Sequence, residues 1–211
     1  QALLEIYEDH WAGRITRPEQ LEDAIVERPL LRVKEKPLPD FEKMDVAAYQ
    51  LDARGVIIPF ELSRGCTDKC SFCSEWVFWR KYRSDDPIRV VEQLRELSRK
   101  YGATEIYFVD SLLNGVPARL ETFAEELLRH DLKLSWGGFM RTSMDLDKAR
   151  LLKQAGLRRV FLGIESMSDE TLQLMNKRRT QADNIGALEA FLGAGLEAVD
   201  CGVIPGFPGD T

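Results

Sequence analysis

From Val56 onward, short apolar runs alternate with longer stretches in which apolar residues recur every three or four positions. The short runs predict five strands: Val56 to Leu62, Glu105 to Val109, Leu132 to Met140, Arg159 to Ile164 and Ala198 to Ile204. The longer stretches predict helices. Asp86 is placed as an N-cap and Pro87 at the first helical position. Ile88, Val91, Leu94, Leu97 and Tyr101 then follow at helical spacing until Gly102 stops the run. Further helices are expected over Leu120 to Leu128, over Asp147 to Ala155 before Gly156, and as turns over Glu170 to Met175. Thr180 and Asp183 have capping-box spacing for a last helix running to about Leu192.

Strands alternating with helices predict parallel βαβ units joined by right-handed crossovers, in an open sheet or most of a barrel. In such barrels chemistry gathers at the C-terminal ends of the strands. Polar residues stand there after every predicted strand: Glu61 and a cysteine-rich loop, then Asp110 with Ser111, then Arg141, then Glu165 with Ser166, and finally the run Pro205 to Asp210. Residues 1–50 follow no such rhythm. A helix-like start, Ala2 to Tyr7, leads into a charged, proline-rich stretch from Arg28 to Asp40, read as an extended connector lying on the surface of the strand-and-helix region.

The chain has 211 residues, 44% of them hydrophobic, enough for a sizeable core in one large domain, or in one domain plus a tail. Its net charge of −6 argues against a general nucleic-acid surface, although Arg80, Lys81 and Arg83 form a local basic patch. No apolar run approaches the ~20 residues that cross a bilayer, and no signal peptide is visible, so a reducing cytoplasm is the expected compartment. The first residue is Gln, and the chain stops just after its fifth strand, which reads as a fragment of a longer protein.

The candidate chemistry sits in the run Ser63-Arg64-Gly65-Cys66-Thr67-Asp68-Lys69-Cys70-Ser71-Phe72-Cys73. A charged chain with four cysteines does not look like a disulfide scaffold. Zinc normally takes four protein ligands, yet no second Cys-x-x-Cys pair exists and the only histidines are His10 and His130. A cubane iron–sulfur cluster usually takes four cysteines, so three would leave one iron open to a ligand. Cys201, alone in a strand-like run, is expected to be a small buried hydrophobe.

The cysteine run after a first strand, with Phe72 in its aromatic slot, resembles the signature of the radical SAM enzymes. The segment Gly163-Ile164-Glu165-Ser166, followed by Leu172, Met175, Asn176 and Lys177, resembles that family's fourth-strand region. Gly202 to Gly209 resembles its fifth-strand glycine motif. The resemblance covers about Pro59 to Thr211. It implies an α/β fold, a partial (β/α)6 TIM-like barrel with parallel strands cut off after the fifth. Residues 51–211 would be that core, and 1–50 an N-terminal helix and linker.

It also implies that Cys66, Cys70 and Cys73 hold a [4Fe–4S] cluster whose open iron is chelated by S-adenosylmethionine. An electron from a donor such as flavodoxin or ferredoxin would then cleave the sulfonium to start radical chemistry on a small-molecule or peptide substrate. By position, Phe72 would lie near the adenine, and Asp110 and Ser111 near the methionine amine. Glu165 and Ser166 would meet the ribose, Lys177 or Arg141 the methionine carboxylate, and the backbone of Ile204 to Gly206 the adenine edge.

Other readings stay open at several of these positions. Lys177, with Arg178 and Arg179, could form a solvated helix face; Arg141 could pair with Asp145, and Asp110 could cap the next turn. Trp76, Phe78 and Trp79 are expected to form a hydrophobic shield beside the cluster. Leu38 to Phe41 and Asp45 to Tyr49 resemble the connector that follows a cobalamin-binding domain, which implies cobalamin held outside this chain and methylation or rearrangement of an unactivated carbon. Asp9, His10 and Gly13 have the wrong spacing for a cobalamin ligand motif, and His10 reads as a surface residue. The alternatives are a methylthiotransferase-like or oxygen-independent porphyrinogen oxidase-like core, or a non-catalytic iron–sulfur or zinc scaffold.

Overall fold

A computed structural model describes residues 38–46 and 55–210. The predicted helix at Ala2 to Tyr7, His10, and the connector up to Pro37 lie outside the described residues. Five parallel strands form one open sheet: β1 (Val56–Phe60), β4 (Ala103–Phe108), β5 (Ser135–Arg141), β6 (Leu157–Glu165) and β7 (Ala198–Val203), side by side in that order. Between them run α2 (Pro87–Tyr101), α3 (Pro117–Arg129), α4 (Leu146–Gln154), α5 (Asp169–Leu174) and α6 (Gln181–Gly193). This is the expected α/β class, a partial TIM-like barrel that is not closed among the described residues.

The helix signals hold in detail. The Asp86 carboxylate accepts from Ile88 N, Pro87 opens α2, and Gly102 ends it in the left-handed region, φ 67°. Thr180 and Asp183 make the reciprocal capping box. Two boundaries differ from expectation. Pro117 starts α3 three residues earlier than Leu120, because proline suits a first turn whose N–H has no partner. The third main strand begins at Ser135 rather than Leu132, since Asp131 turns left-handed (φ 48°) and Leu132 N returns to Leu127 O to close α3.

Alternate strand residues Ile58, Phe60, Ile106, Phe108, Trp136, Met140, Val160, Leu162 and Ile164 bury against the helices. At the centre Phe108, Phe123 and Trp136 pack edge to face, with centroids 5.4 to 5.9 Å apart. The Trp136 indole also donates to Ala155 O at 2.8 Å, tying β5 to the end of α4. Leu38 and Phe41 pack on this core from the N-terminal side, and Tyr101 donates from its hydroxyl to Asp40 Oδ1 at 3.1 Å.

Three small elements carried no clear hydrophobic signal. A two-stranded hairpin joins β2 (Ser63–Arg64) to β3 (Arg83–Ser84), a short helix α1 (Glu75–Trp79) lies between them, and a 3-10 turn covers Leu113–Gly115. Cys201 departs from expectation: it is exposed rather than buried. It pairs with Leu162 on the helix-facing side of the sheet, but among the described residues β7 is an edge strand and only part of that side is covered.

Candidate metal and cofactor site

The cysteine loop leaves β1 and lies across the C-terminal ends of the strands. Gly65 makes its first bend with φ +85°, and a Cβ there would stand 2.7 Å from Lys81 O, so glycine is needed for the hairpin to close on the loop. Long-range hydrogen bonds hold the loop from both sides. Ser71 N donates to Met175 O at 3.0 Å, and Asn176 Nδ2 to Lys69 O at 2.7 Å. From the other side, Arg141 Nη1 donates to Thr67 Oγ1 at 2.8 Å and Asp68 Oδ1 at 2.9 Å.

All the cysteines are free thiols; Cys70 is buried, Cys66 and Cys73 half-buried. Burial pushes the Cys70 thiol up to about 11, against the pull of the nearby Lys177 ammonium, and burial also raises Cys66. Asp68 N donates to Cys66 Sγ at 3.4 Å, Cys73 N to Cys70 O, and the Trp76 indole to Cys70 O. Among the described residues, no three His, Cys, Asp or Glu side chains converge on one ion. A cubane does not ask for that, because each thiolate binds a different iron. The donor set fits such a cluster: soft thiolates, a backbone N–H aimed at one sulfur, and a buried cation beside them.

That cation is Lys177. It is buried, and its Nζ donates to Glu165 Oε1 at 2.9 Å. The solvated-face reading is therefore corrected for Lys177: the turn after α5 carries it inward while Arg178 stays exposed. Glu165 stands at a bulge where the pairing with β7 slips, with φ 65°, and Ile204 N donates to its carbonyl at 2.8 Å. Gly163 makes room for the pair. A Cβ there would stand 2.5 Å from Glu165 Oε1 and 2.9 Å from Lys177 Nζ.

Asp110 and Ser111 follow β4, but both are engaged by the protein. The buried Asp110 carboxylate accepts from Leu62 N at 3.1 Å, from Ser63 N, and from Ser63 Oγ at 2.6 Å. It holds the start of the cysteine loop rather than capping the next turn. Burial pushes it up to about 7, although these hydrogen bonds favour the ionised form. Ser111 Oγ donates to Glu75 on α1. Arg141 does not pair with Asp145, whose carboxylate caps α4 and meets Lys148 at 2.8 Å. Ser166 Oγ accepts from Ser168 N, and Gly206 N donates to Asp210 Oδ2. Phe72 is 40% exposed on the loop. The expected aromatic shield is only partial: Trp76 and Trp79 are half-buried, but Phe78 is 70% exposed, because α1 is a short helix with nothing packed outside it among the described residues.

Two buried asparagines that sequence reasoning missed fix the strand ends. Asn114 makes a two-way clamp on Arg141, donating from Nδ2 to its carbonyl and accepting its N–H at Oδ1, each at 3.0 Å. Asn184 donates from α6 to Ile164 O and Ser166 O and accepts from Thr142 Oγ1 at 2.7 Å. The available signal was a lone amide among apolar positions, as Asn184 is among Ala187, Ala190 and Phe191.

A family model described as the Radical SAM superfamily matches residues 60–211. The chain is 32% identical over 190 residues to an uncharacterized methyltransferase of Pyrococcus horikoshii, PH0819, covering 87% of this chain and 40% of that protein. It is 34% identical over 144 residues to the anaerobic magnesium-protoporphyrin IX monomethyl ester cyclase of Rubrivivax gelatinosus, covering 67% of this chain and 26% of the cyclase. Among solved structures it is similar to apo OxsB, a cobalamin-dependent S-adenosylmethionine radical enzyme. That match has TM-score 0.68 and 26% identity and covers 83% of this chain and 27% of OxsB. The chain spans 40% or less of the length of these relatives.

Proposed function

The chain belongs to the radical SAM superfamily, and from that premise we propose that Cys66, Cys70 and Cys73 hold a [4Fe–4S] cluster beside which S-adenosylmethionine binds. The observation that carries this reading is the cysteine loop itself. It is pinned over the C-terminal ends of the strands, with buried Lys177 and its partner Glu165 beside Cys70. A cluster held by Cys66, Cys70 and Cys73 would supply one electron to the sulfonium of the ligand.

The chain's own residues bind and orient. The Lys177 ammonium offers charge to the ligand's carboxylate and to the thiolates. Among the described residues only Lys177 donates to the Glu165 carboxylate, which leaves acceptor capacity for a ribose diol together with the Ser166 hydroxyl. The backbone from Ile204 to Gly206 would line the adenine edge, and Phe72, part-exposed on the loop, would offer a ring face. Asp110 and Ser111 act here through the loop and α1, which they hold.

The whole protein is read as a cobalamin-associated enzyme of a reducing compartment that methylates or rearranges an unactivated carbon of a small-molecule or peptide substrate. The likeness to OxsB and to a methyltransferase supports this branch. Cobalamin would be held by a part of the protein outside this chain, and electrons would come from a flavodoxin- or ferredoxin-type donor. Anaerobically reconstituted full-length protein, given dithionite and S-adenosylmethionine, is expected to form 5′-deoxyadenosine or S-adenosylhomocysteine. Folded, cluster-loaded protein that forms neither would leave only the scaffold reading.

A further inference from the structure

We propose that Arg141 is a positioning residue for the cluster, latching the Cys66–Cys70 segment through Asp68, rather than a ligand for S-adenosylmethionine. The inference rests on the cluster reading above. Arg141 ends β5, and its main chain is fixed on both sides by the buried Asn114 amide. Its side chain crosses 73 residues of sequence to Asp68 at 2.9 Å, with both partners largely buried, at 14% and 11% side-chain exposure. The same nitrogen meets Thr67 Oγ1.

Asp68 is itself coupled to the metal ligand. Its N–H points at Cys66 Sγ. The chain of contacts therefore runs from Asn114 through Arg141 and Asp68 to one thiolate. Hydrogen bonds to cluster sulfurs raise the reduction potential, and contacts behind ligands hold their geometry. The Asp68 carboxylate engages Arg141 Nη1, and the buried Nε has no partner among the described residues. A ligand carboxylate would have to displace Asp68 to reach Nη1, whereas Lys177, beside Cys70 and close to Gly163 on the neighbouring strand, offers a second cation.

Arg141→Met and Arg141→Lys in the full-length protein separate the possibilities. A latch predicts that Arg141→Met loses iron to a chelator about tenfold faster, in line with the 10- to 100-fold cost of removing a ligand's support. It also predicts a lower midpoint potential and an altered spectrum of the reduced cluster before any S-adenosylmethionine is added. Arg141→Lys should restore part of the chelator resistance, and Asp68→Asn should reproduce the loss with Arg141 intact. If Arg141→Met keeps wild-type iron, potential and spectrum and loses only the response to S-adenosylmethionine, Arg141 is a ligand contact and the latch is wrong. If the wild type itself takes up no cluster, it is the underlying reading that fails. Should Arg141→Met not fold, Asp68→Asn decides alone, and wild-type chelator resistance in it overturns the proposal.

Discussion

The helix-backed core and the rim that carries the cysteines are built on opposite terms. In the core, Phe108, Phe123 and Trp136 share contacts among many apolar neighbours, and no single direction matters. At the rim a few directional bonds between residues far apart in sequence do the holding: Asp110 on Leu62 and Ser63, Arg141 on Asp68, Asn176 on Lys69, Asn184 on Ile164 and Ser166. Burial energy scales with area and is tolerant of detail, whereas a hydrogen bond fails within about an ångström. Damage to the core should therefore cost stability with the site geometry retained, while damage to the rim should cost the site with stability nearly retained.

The largest expected effect is at the rim. Replacing Cys66, Cys70 or Cys73 by Ala should reduce cluster content to background while the melting temperature of the apo protein barely moves. Iron and sulfide counts with a thermal melt check both halves, and an unchanged iron count would remove that cysteine from the ligand set. The mirror experiment is Phe123→Ala, which should cost about 3–5 kcal/mol in a urea titration. Molecules still folded should take up a normal complement of iron. Loss of iron from the folded fraction would erase the contrast.

Lys177→Met lies between the two. It leaves the Glu165 carboxylate, 13% exposed, without its partner. About 1–3 kcal/mol of stability should be lost, less than for a fully dry pair because the carboxylate keeps some water. Affinity for S-adenosylmethionine should fall at least tenfold with iron retained. Equilibrium binding and denaturation on the same sample would show whether this pair belongs with the rim or with the core.

The last effect concerns Asp110 and is read as a slope against pH. Its carboxyl is raised by burial from 3.8 to about 7, so between those values the folded state holds a proton that the unfolded state has released. Its contribution is full below pH 3.8 and is lost as pH rises through 7, at up to about 1.4 kcal/mol per pH unit. Asp110→Asn should flatten that part of the stability profile relative to the wild type. A profile with the same slope in both would show that the three hydrogen bonds, not burial, set its protonation.

The contrast also explains what could be read from the sequence. Core elements announce themselves by period. The spacing from Ile88 to Tyr101 and the caps at Asp86, Gly102 and Thr180 placed two helices almost to the residue, and the family's cysteine spacing placed the loop. The rim has no period. Nothing along the chain says that Arg141 reaches Asp68 rather than Asp145, or that Lys177 turns inward while Arg178 does not, because each outcome depends on neighbours brought from another strand. The clamps at Asn114 and Asn184 are invisible for the same reason. The two-residue strands at Ser63 and Arg83 are too short to show alternation at all.

The most direct measurement is the electron paramagnetic resonance spectrum of the reduced, anaerobically reconstituted full-length protein, recorded with and without S-adenosylmethionine. Three cysteine ligands and one open iron predict a [4Fe–4S] signal that changes when the ligand is added. A signal indifferent to S-adenosylmethionine, from protein with a full complement of iron, would contradict the account.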